Sequence, residues 1–407
     1  MPPRELPVPK GVERHIMVGR YADAAAALAS LTAREPSIPR RLALASVLLQ
    51  LGDLEAAARN LRQVIDADPQ RPGARFMLGR VNAALDDRAA ALADFRAALD
   101  LHVAQLPALP GGPVPMHYAL HNLEQLAYIE AARGGATGDL LPGSVANREE
   151  MRRRLGEALD KAGTIVPSAS VDGELGRVLA QPPVLWHDEP APPSCLSSRN
   201  DWTEVAHRFH AESGMACVDD FLSPQALAQL QRFMLLSTVW RQPNRHGYIG
   251  GLAEHGFFNE LLLQVGAELK RALPELLAGH HLTYWWGFVY QHQRPGTDIH
   301  ADQSDISLNM WLTPDAANLE PERGGLDLWD VAAPADWTFA EYNSGAHRIR
   351  MFLDQAGARR RSFAYRENRA LLFRGSLFHQ TAAGRFAEGF ENRRRNVTML
   401  FRRTRRV

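Results

Sequence analysis

Two kinds of apolar patterning divide this chain. Up to residue 162 it is rich in alanine and leucine and reads as a series of helices. From about residue 215 it breaks into short apolar runs between turn signals, which read as strands. Residues 281–290 (His-Leu-Thr-Tyr-Trp-Trp-Gly-Phe-Val-Tyr) are aromatic and β-branched. Arg294-Pro295-Gly296 is a turn. A strand over 306–312 stops at Thr313-Pro314, and a glycine turn at 324–325 opens another up to Trp329. Residues 370–373 form a short apolar strand, 375–379 follow it, and 396–401 form the last. Such a succession predicts a jelly-roll, cupin-like barrel.

The helical part repeats. Gly19-Arg-Tyr-Ala-Asp-Ala-Ala, Gly52-Asp-Leu-Glu-Ala-Ala-Ala and Asp86-Asp-Arg-Ala-Ala-Ala-Leu stand 33 and 34 residues apart, and Pro36 and Pro69 close the first two units. This is the tetratricopeptide period: helix, tight turn, second helix, proline. The alanines after each turn let paired helices approach closely. The third unit is degenerate, with Asp86 at the glycine position and no closing proline. A Pro/Gly break over 106–115 follows, then helices expected at 116–132 and 145–162 that cap the stack. Residues 163–200, rich in Pro and Ser, read as a linker. A helix over 201–212 leads into the strands. The expected architecture is therefore multidomain α+β. An all-α tetratricopeptide-type solenoid (1–162) is joined by a linker (163–200) to a double-stranded β-helix barrel with flanking helices (201–407). On this view the barrel is separable from the repeats.

Composition narrows the classes. Hydrophobic content of 45% and charged content of 23% are ordinary for a globular protein. Basic and acidic residues balance at 46 each, so no overall field draws nucleic acid or membrane. Two cysteines, Cys195 and Cys217, exclude a disulfide framework, a cysteine-rich zinc site and an iron–sulfur cluster held by this chain alone. The N-terminus has no signal-peptide core and no run approaches membrane-spanning length. The expectation is a cytoplasmic protein in reducing surroundings.

The candidate chemistry sits at His300-Ala-Asp302. On a β-strand, positions i and i+2 share a face. An imidazole and a carboxylate on one face are two of the three ligands of the facial triad that holds non-heme Fe(II). The same spacing recurs at His187-Asp-Glu189 and His210-Ala-Glu212, where no strand aims it. What sets His300 apart is its neighbourhood of strands, and His379 beyond the 370–373 strand offers the third ligand.

With these residues in place, the segment from Met215 to Phe401 resembles the Fe(II)/2-oxoglutarate dioxygenase superfamily, closest to its prolyl-hydroxylase-like branch. Cys217-Val-Asp-Asp-Phe-Leu-Ser-Pro224 is similar to that branch's opening strand and helix. The order His-x-Asp, distal His, then an arginine-bearing last strand is similar as well. The resemblance implies that His300, Asp302 and His379 are the metal ligands and catalytic centre, with Fe(II), 2-oxoglutarate and O2 as cofactors. It implies oxidative decarboxylation to succinate and CO2 coupled to hydroxylation of a substrate. It also implies an arginine on the last strand for the distal carboxylate of 2-oxoglutarate, with Thr or Ser four residues on. Arg394 and Thr398 fit this spacing, and 394, 396 and 398 share one face. A one-residue slip would substitute Arg393 or Arg395. Trp311, Asn309 and Tyr290 are further candidates to bind 2-oxoglutarate, whereas Trp285, Trp286 and Trp329 read as core. The basic C-terminus, Arg393 to Arg395 and Arg402 to Arg406, reads as a solvated tail, with a patch for an acidic partner as the alternative.

Helical repeats usually present a concave surface to a peptide. Joined to this barrel they resemble the leprecan prolyl 3-hydroxylases. The first expectation for function is thus hydroxylation of a side chain in a peptide or protein recruited by the repeats. The second is oxidation of a free amino acid or small metabolite, with the repeats forming a homodimer. A third, of another class, is a scaffold whose barrel no longer catalyses. Arg394-Arg-Asn-Val-Thr398 also resembles the last strand of AlkB-like nucleic-acid demethylases, and the neutral overall charge argues against that partner.

Overall fold

Three helical hairpins open the structure, a computed structural model that describes residues 8–106, 113–134, 140–162, 168–169, 173–244, 246–291, 293–294 and 296–403. The Pro/Gly break at 107–112, Pro295 and the tail from 404 lie outside them. The hairpins pair Lys10–Met17 with Tyr21–Arg34, Ile38–Leu51 with Leu54–Ala67, and Pro72–Ala84 with Arg88–Ala104. Their turns need one left-handed residue each, supplied by Gly19 (φ 72°), Gly52 (φ 79°) and Asp86 (φ 61°). An aspartate is strained there. Its carboxylate explains its presence, since it lies 3.0 Å from Lys270 Nζ on a helix of the barrel domain. Asp53 and Asp87 cap the second helices of the second and third units by accepting from Ala56 N and Ala90 N. Gly79 is required by close packing, because a Cβ there would meet the Phe95 ring at 2.6 Å. Helices Met116–Ala132 and Val145–Ala162 follow.

The rest is a double-stranded β-helix. Its major sheet, among the described residues, has seven antiparallel strands. Their order is Met215–Val218, Ala370–Arg374, Ile306–Trp311, Arg395–Arg403, His280–Tyr290, Tyr248–Leu252 and Trp240–Pro243. A minor sheet orders Arg360–Phe363, Leu326–Ala332 and Leu377–Thr381. Alternation assigns the faces of the major sheet. Leu308, Met310, Leu372, Val397 and Met399 face outward into a core shared with helices Pro224–Leu236 and Glu260–Ala272. Trp311, Leu371 and Phe373 face inward and meet Leu326, Leu328, Phe363 and Tyr365 of the opposing side.

Two expectations need correction. Residues 163–200 are not a free linker. They include the helix Gly173–Ala180, and beyond it the chain is bound along the barrel. Trp186 Nε1 donates to Phe258 O at 3.1 Å, Leu185 N donates to Thr238 Oγ1 at 2.8 Å, and Glu268 Oε2 accepts from Cys195 N and Leu196 N at 2.9 and 3.0 Å. Proline removes donors and regular structure, but its carbonyls still accept bonds, as Pro192 O does from Gln264 Nε2. Nor does the barrel stand apart from the repeats. Phe95 of the third unit is fully buried between Phe258 and Trp285, at ring separations of 5.3 and 5.5 Å. Arg80 Nε donates to Thr283 O at 2.8 Å, and Gln303 Nε2 donates to Tyr21 Oη at 2.6 Å. No helix among the described residues is long and apolar enough to cross a membrane.

Candidate metal centre and anion pocket

His300 does not lie on a regular strand. It forms an isolated bridge with His379: His300 N donates to His379 O at 2.9 Å, and His379 N donates to His300 O at 2.8 Å. This reciprocal pair brings the two imidazoles side by side, with ring centroids 4.4 Å apart and planes tilted by 52°. Asp302, held by its N–H on Gly375 O at 2.8 Å, brings its carboxylate to the same point. One ligand atom from each of the three residues lies within 4.8 Å of the others. His379 Nε2 is 3.7 Å from Asp302 Oδ2.

The surroundings prepare these groups for a cation. Nδ1 of His300 faces Asp298 O at 2.7 Å, and Nδ1 of His379 faces Leu377 O at 3.1 Å. A carbonyl only accepts, so each Nδ1 carries a proton and Nε2 is the nitrogen turned toward the shared point. Burial, and then the neighbouring His300, push His379 down to about 4, against the opposing pull of Asp302. His379 is therefore neutral at pH 7, the form that binds a metal. Ser307 Oγ donates to Asp302 Oδ2 at 2.7 Å and is itself 2.8 Å from Ser304 Oγ. This orients the carboxylate, and sequence reading missed it. Gly375 permits the approach, since a Cβ there would stand 2.0 Å from Ser304 Oγ.

The three consecutive arginines have three different environments. Arg393 reaches helix Met116–Ala132, where it pairs with Glu124 and donates to His121 Nδ1 at 3.1 Å. Arg395 turns back to the preceding turn and donates to the carbonyls of Phe390, Glu391 and Arg393. Arg394 points inward. Its Nε donates to Gly324 O at 2.6 Å and its Nη1 to Asn396 Oδ1 at 2.8 Å, and its guanidinium lies 4.5 Å over the Tyr290 ring. Burial depresses its pKa, opposed by Tyr290 and Tyr365, and among the described residues no carboxylate pairs with it. A buried cation without a counter-ion is costly unless a ligand supplies one.

The other candidates line the same inner face. Asn396 Nδ2 and Thr398 Oγ1 both donate to Asn309 Oδ1, at 2.8 and 3.2 Å. Asn309 Nδ2 and Trp311 Nε1 are buried donors with no acceptor among the described residues. Tyr290 Oη lies 3.3 Å from Thr381 Oγ1, two residues beyond His379. Elsewhere, the His187 spacing is spent on a hydrogen bond within the motif, Nε2 of His187 lying 2.7 Å from Glu189 Oε1.

Residues 42–112 match the tetratricopeptide-repeat family model. No curated protein sequence matches the chain. Among solved structures, the non-heme α-ketoglutarate-dependent epimerase SnoN from nogalamycin biosynthesis aligns at 13% identity and a TM-score of 0.37, over 50% of this chain and 83% of that one. A 2OG-Fe(II) oxygenase family oxidoreductase from Burkholderia pseudomallei aligns at 12% identity and a TM-score of 0.34, covering 54% and 98%. A Pseudomonas putida prolyl-4-hydroxylase aligns at 15% identity and a TM-score of 0.33, covering 50% and 98%.

Proposed function

We propose that this protein is an Fe(II)- and 2-oxoglutarate-dependent oxygenase. The observation that carries the reading is the pairing, on one inner face, of a two-histidine, one-carboxylate donor set with a buried arginine that has no carboxylate partner among the described residues. The donor set fits Fe(II): two imidazoles and one carboxylate would hold a metal from one side and leave the other side open. The pocket fits a dicarboxylate, because among the described residues Arg394 has no anionic partner and Asn309 Nδ2 and Trp311 Nε1 have no acceptors.

Each residue then has a task. His300, Asp302 and His379 hold the metal, and the carbonyls of Asp298 and Leu377 fix which nitrogen they present. Arg394 neutralises the distal carboxylate of 2-oxoglutarate with a planar, two-pronged donor. Tyr290, Thr398, Asn309 and Trp311 orient the rest of that molecule. Bound Fe(II), with 2-oxoglutarate and O2, supplies the oxidant that replaces a substrate C–H by C–OH, yielding succinate and CO2.

Two substrate classes fit this chemistry. Hydroxylation of a side chain in a peptide or protein requires the repeats to offer a free recruiting surface. Oxidation of a small molecule does not, and it is favoured by the repeats' engagement of the barrel through Phe95, Arg80 and Tyr21. The test is succinate release from 2-oxoglutarate with Fe(II), in the presence of either the peptide or the small-molecule fraction of a cell extract. Stimulation by one fraction assigns the class. Absence of Fe(II) and 2-oxoglutarate binding would refute the oxygenase and leave the non-catalytic scaffold.

A further inference from the structure

The inner face of strand His280–Tyr290 carries aromatic rings that the chemistry above leaves unused. Tyr284, Trp286 and Phe288 alternate onto that face, and Tyr248 of the adjoining strand packs against Phe288. Ring centroids are 5.8 Å apart for Tyr284–Trp286, 6.1 Å for Trp286–Phe288 and 4.8 Å for Tyr248–Phe288. On the outward face Trp285 and Val289 are 0% and 1% exposed, whereas these four rings are only half-buried. A continuous row of half-open rings inside a barrel marks a surface that a ligand covers.

Strand register fixes where the row looks. Tyr284 lies opposite Leu400 and Leu400 opposite Ser307, the donor to Asp302. Trp286 lies opposite Thr398 and Thr398 opposite Asn309. The rings therefore share a face with the metal centre's support, two strand spacings away, or about 10 Å. Two polar features punctuate the row. Trp286 Nε1 is buried with no acceptor among the described residues. At the far end Tyr284 donates to Glu254, while Arg80 of the third repeat lies 5.3 Å over its ring.

Resting on the oxygenase reading, we infer that this row is the substrate wall, and that the substrate is a small molecule with a flat, largely apolar ring system bearing a hydrogen-bond acceptor. Stacking on Trp286 and Phe288 recognises the ring face, and Trp286 Nε1 recognises the acceptor. The repeats contribute Arg80 to the closed end of the same wall, a structural reason for docking them on the barrel.

The test uses the full chain loaded anaerobically with Mn(II) and 2-oxoglutarate, with 2-naphthol as probe and cyclohexanol as the non-planar control. The expected result is binding of 2-naphthol at least about tenfold tighter than of cyclohexanol. Phe288→Leu and Trp286→Leu, which keep apolar bulk and remove the flat ring, should each weaken it by about fivefold or more. Trp286→Phe, which keeps a ring and loses the N–H, should weaken 2-naphthol but not naphthalene. Melting curves establish that the variants are folded. Equal affinity for both alcohols, or 2-naphthol binding untouched by both leucine variants, overturns the inference while Mn(II) and 2-oxoglutarate uptake leaves the oxygenase standing. Failure of the wild-type protein to take up Mn(II) and 2-oxoglutarate overturns both.

Discussion

Replacing Arg394 by methionine keeps a long side chain and removes the charge. Arg394 is 4% exposed, and its guanidinium spends Nε and Nη1 on Gly324 O and Asn396 Oδ1, leaving Nη2 for a ligand along with the second hydrogen of Nη1. A hydrogen bond to a charged group contributes about 1.5–3 kcal/mol. Two such bonds to the distal carboxylate of 2-oxoglutarate give about 3 kcal/mol at the low end, which corresponds to roughly two orders of magnitude in Kd. The ligand-free protein should respond far less. It loses an unpaired buried charge, which favours it, and also the donors to Gly324 O and Asn396 Oδ1, which does not, so the two effects offset and its melting temperature should change little. Two controls sharpen the result. Arg393→Met strands the Glu124 carboxylate and should cost about 3–5 kcal/mol of stability. Arg395→Met leaves three carbonyls without their donor and should also destabilise. Neither should move the Kd for 2-oxoglutarate by more than about twofold, because neither guanidinium faces the pocket. Anaerobic calorimetric titration with Mn(II) present measures the affinities, and thermal melts measure stability. An Arg394→Met protein with unchanged affinity, beside an Arg393 or Arg395 variant that lost it, would refute the assignment of the pocket.

Three further outcomes are expected. Ser307→Ala should weaken metal binding about 10–100-fold, read by Mn(II) titration, because the Asp302 carboxylate loses its one side-chain donor among the described residues. Acid should destabilise the metal-free fold early: burial holds His281 at about 4 and His121 well below its usual value. The unfolded chain therefore binds protons first, and urea midpoints should fall as pH drops from about 6.5 toward 4; a flat profile there would count against buried neutral imidazoles. A chain begun at Asp201 should lack a cooperative melt, since it uncovers Phe258 and Trp285 where Phe95 and Trp186 now sit; a sharp transition in that fragment would show the barrel to be independent.

What the sequence disclosed depended on whether a feature is local. The repeat turns were legible at Gly19 and Gly52, and even the odd Asp86 fell at the right spacing, because a left-handed turn position recurs with the period. The strands were legible from their composition, and alternation placed 394, 396 and 398 on one face. The strands Trp240–Pro243 and Tyr248–Leu252 passed unnoticed, because glycines at 250 and 251 and a proline at 243 mimic loop chemistry. Ser307 was hidden for another reason: nothing near it in sequence shows that its hydroxyl meets Asp302. The order of 181–200 was equally invisible, because a proline-rich stretch held through its carbonyls has no periodicity to read. Which of three adjacent arginines faces inward became clear only when Glu124 and the Phe390 turn claimed the other two.

The reciprocal backbone bonds between His300 and His379 have a consequence for metal traffic. Two imidazoles already clamped to each other by main-chain bonds do not need a cation to bring them together. The ion can leave and return without a folding event, so a chelator should strip the protein reversibly and without hysteresis. Selection among divalent ions then falls to supply and to the donor set rather than to a rearranging cage. Under the oxygenase proposal, such a centre would be open to mismetallation by whichever divalent ion is in excess, and iron occupancy, not protein abundance, would set activity.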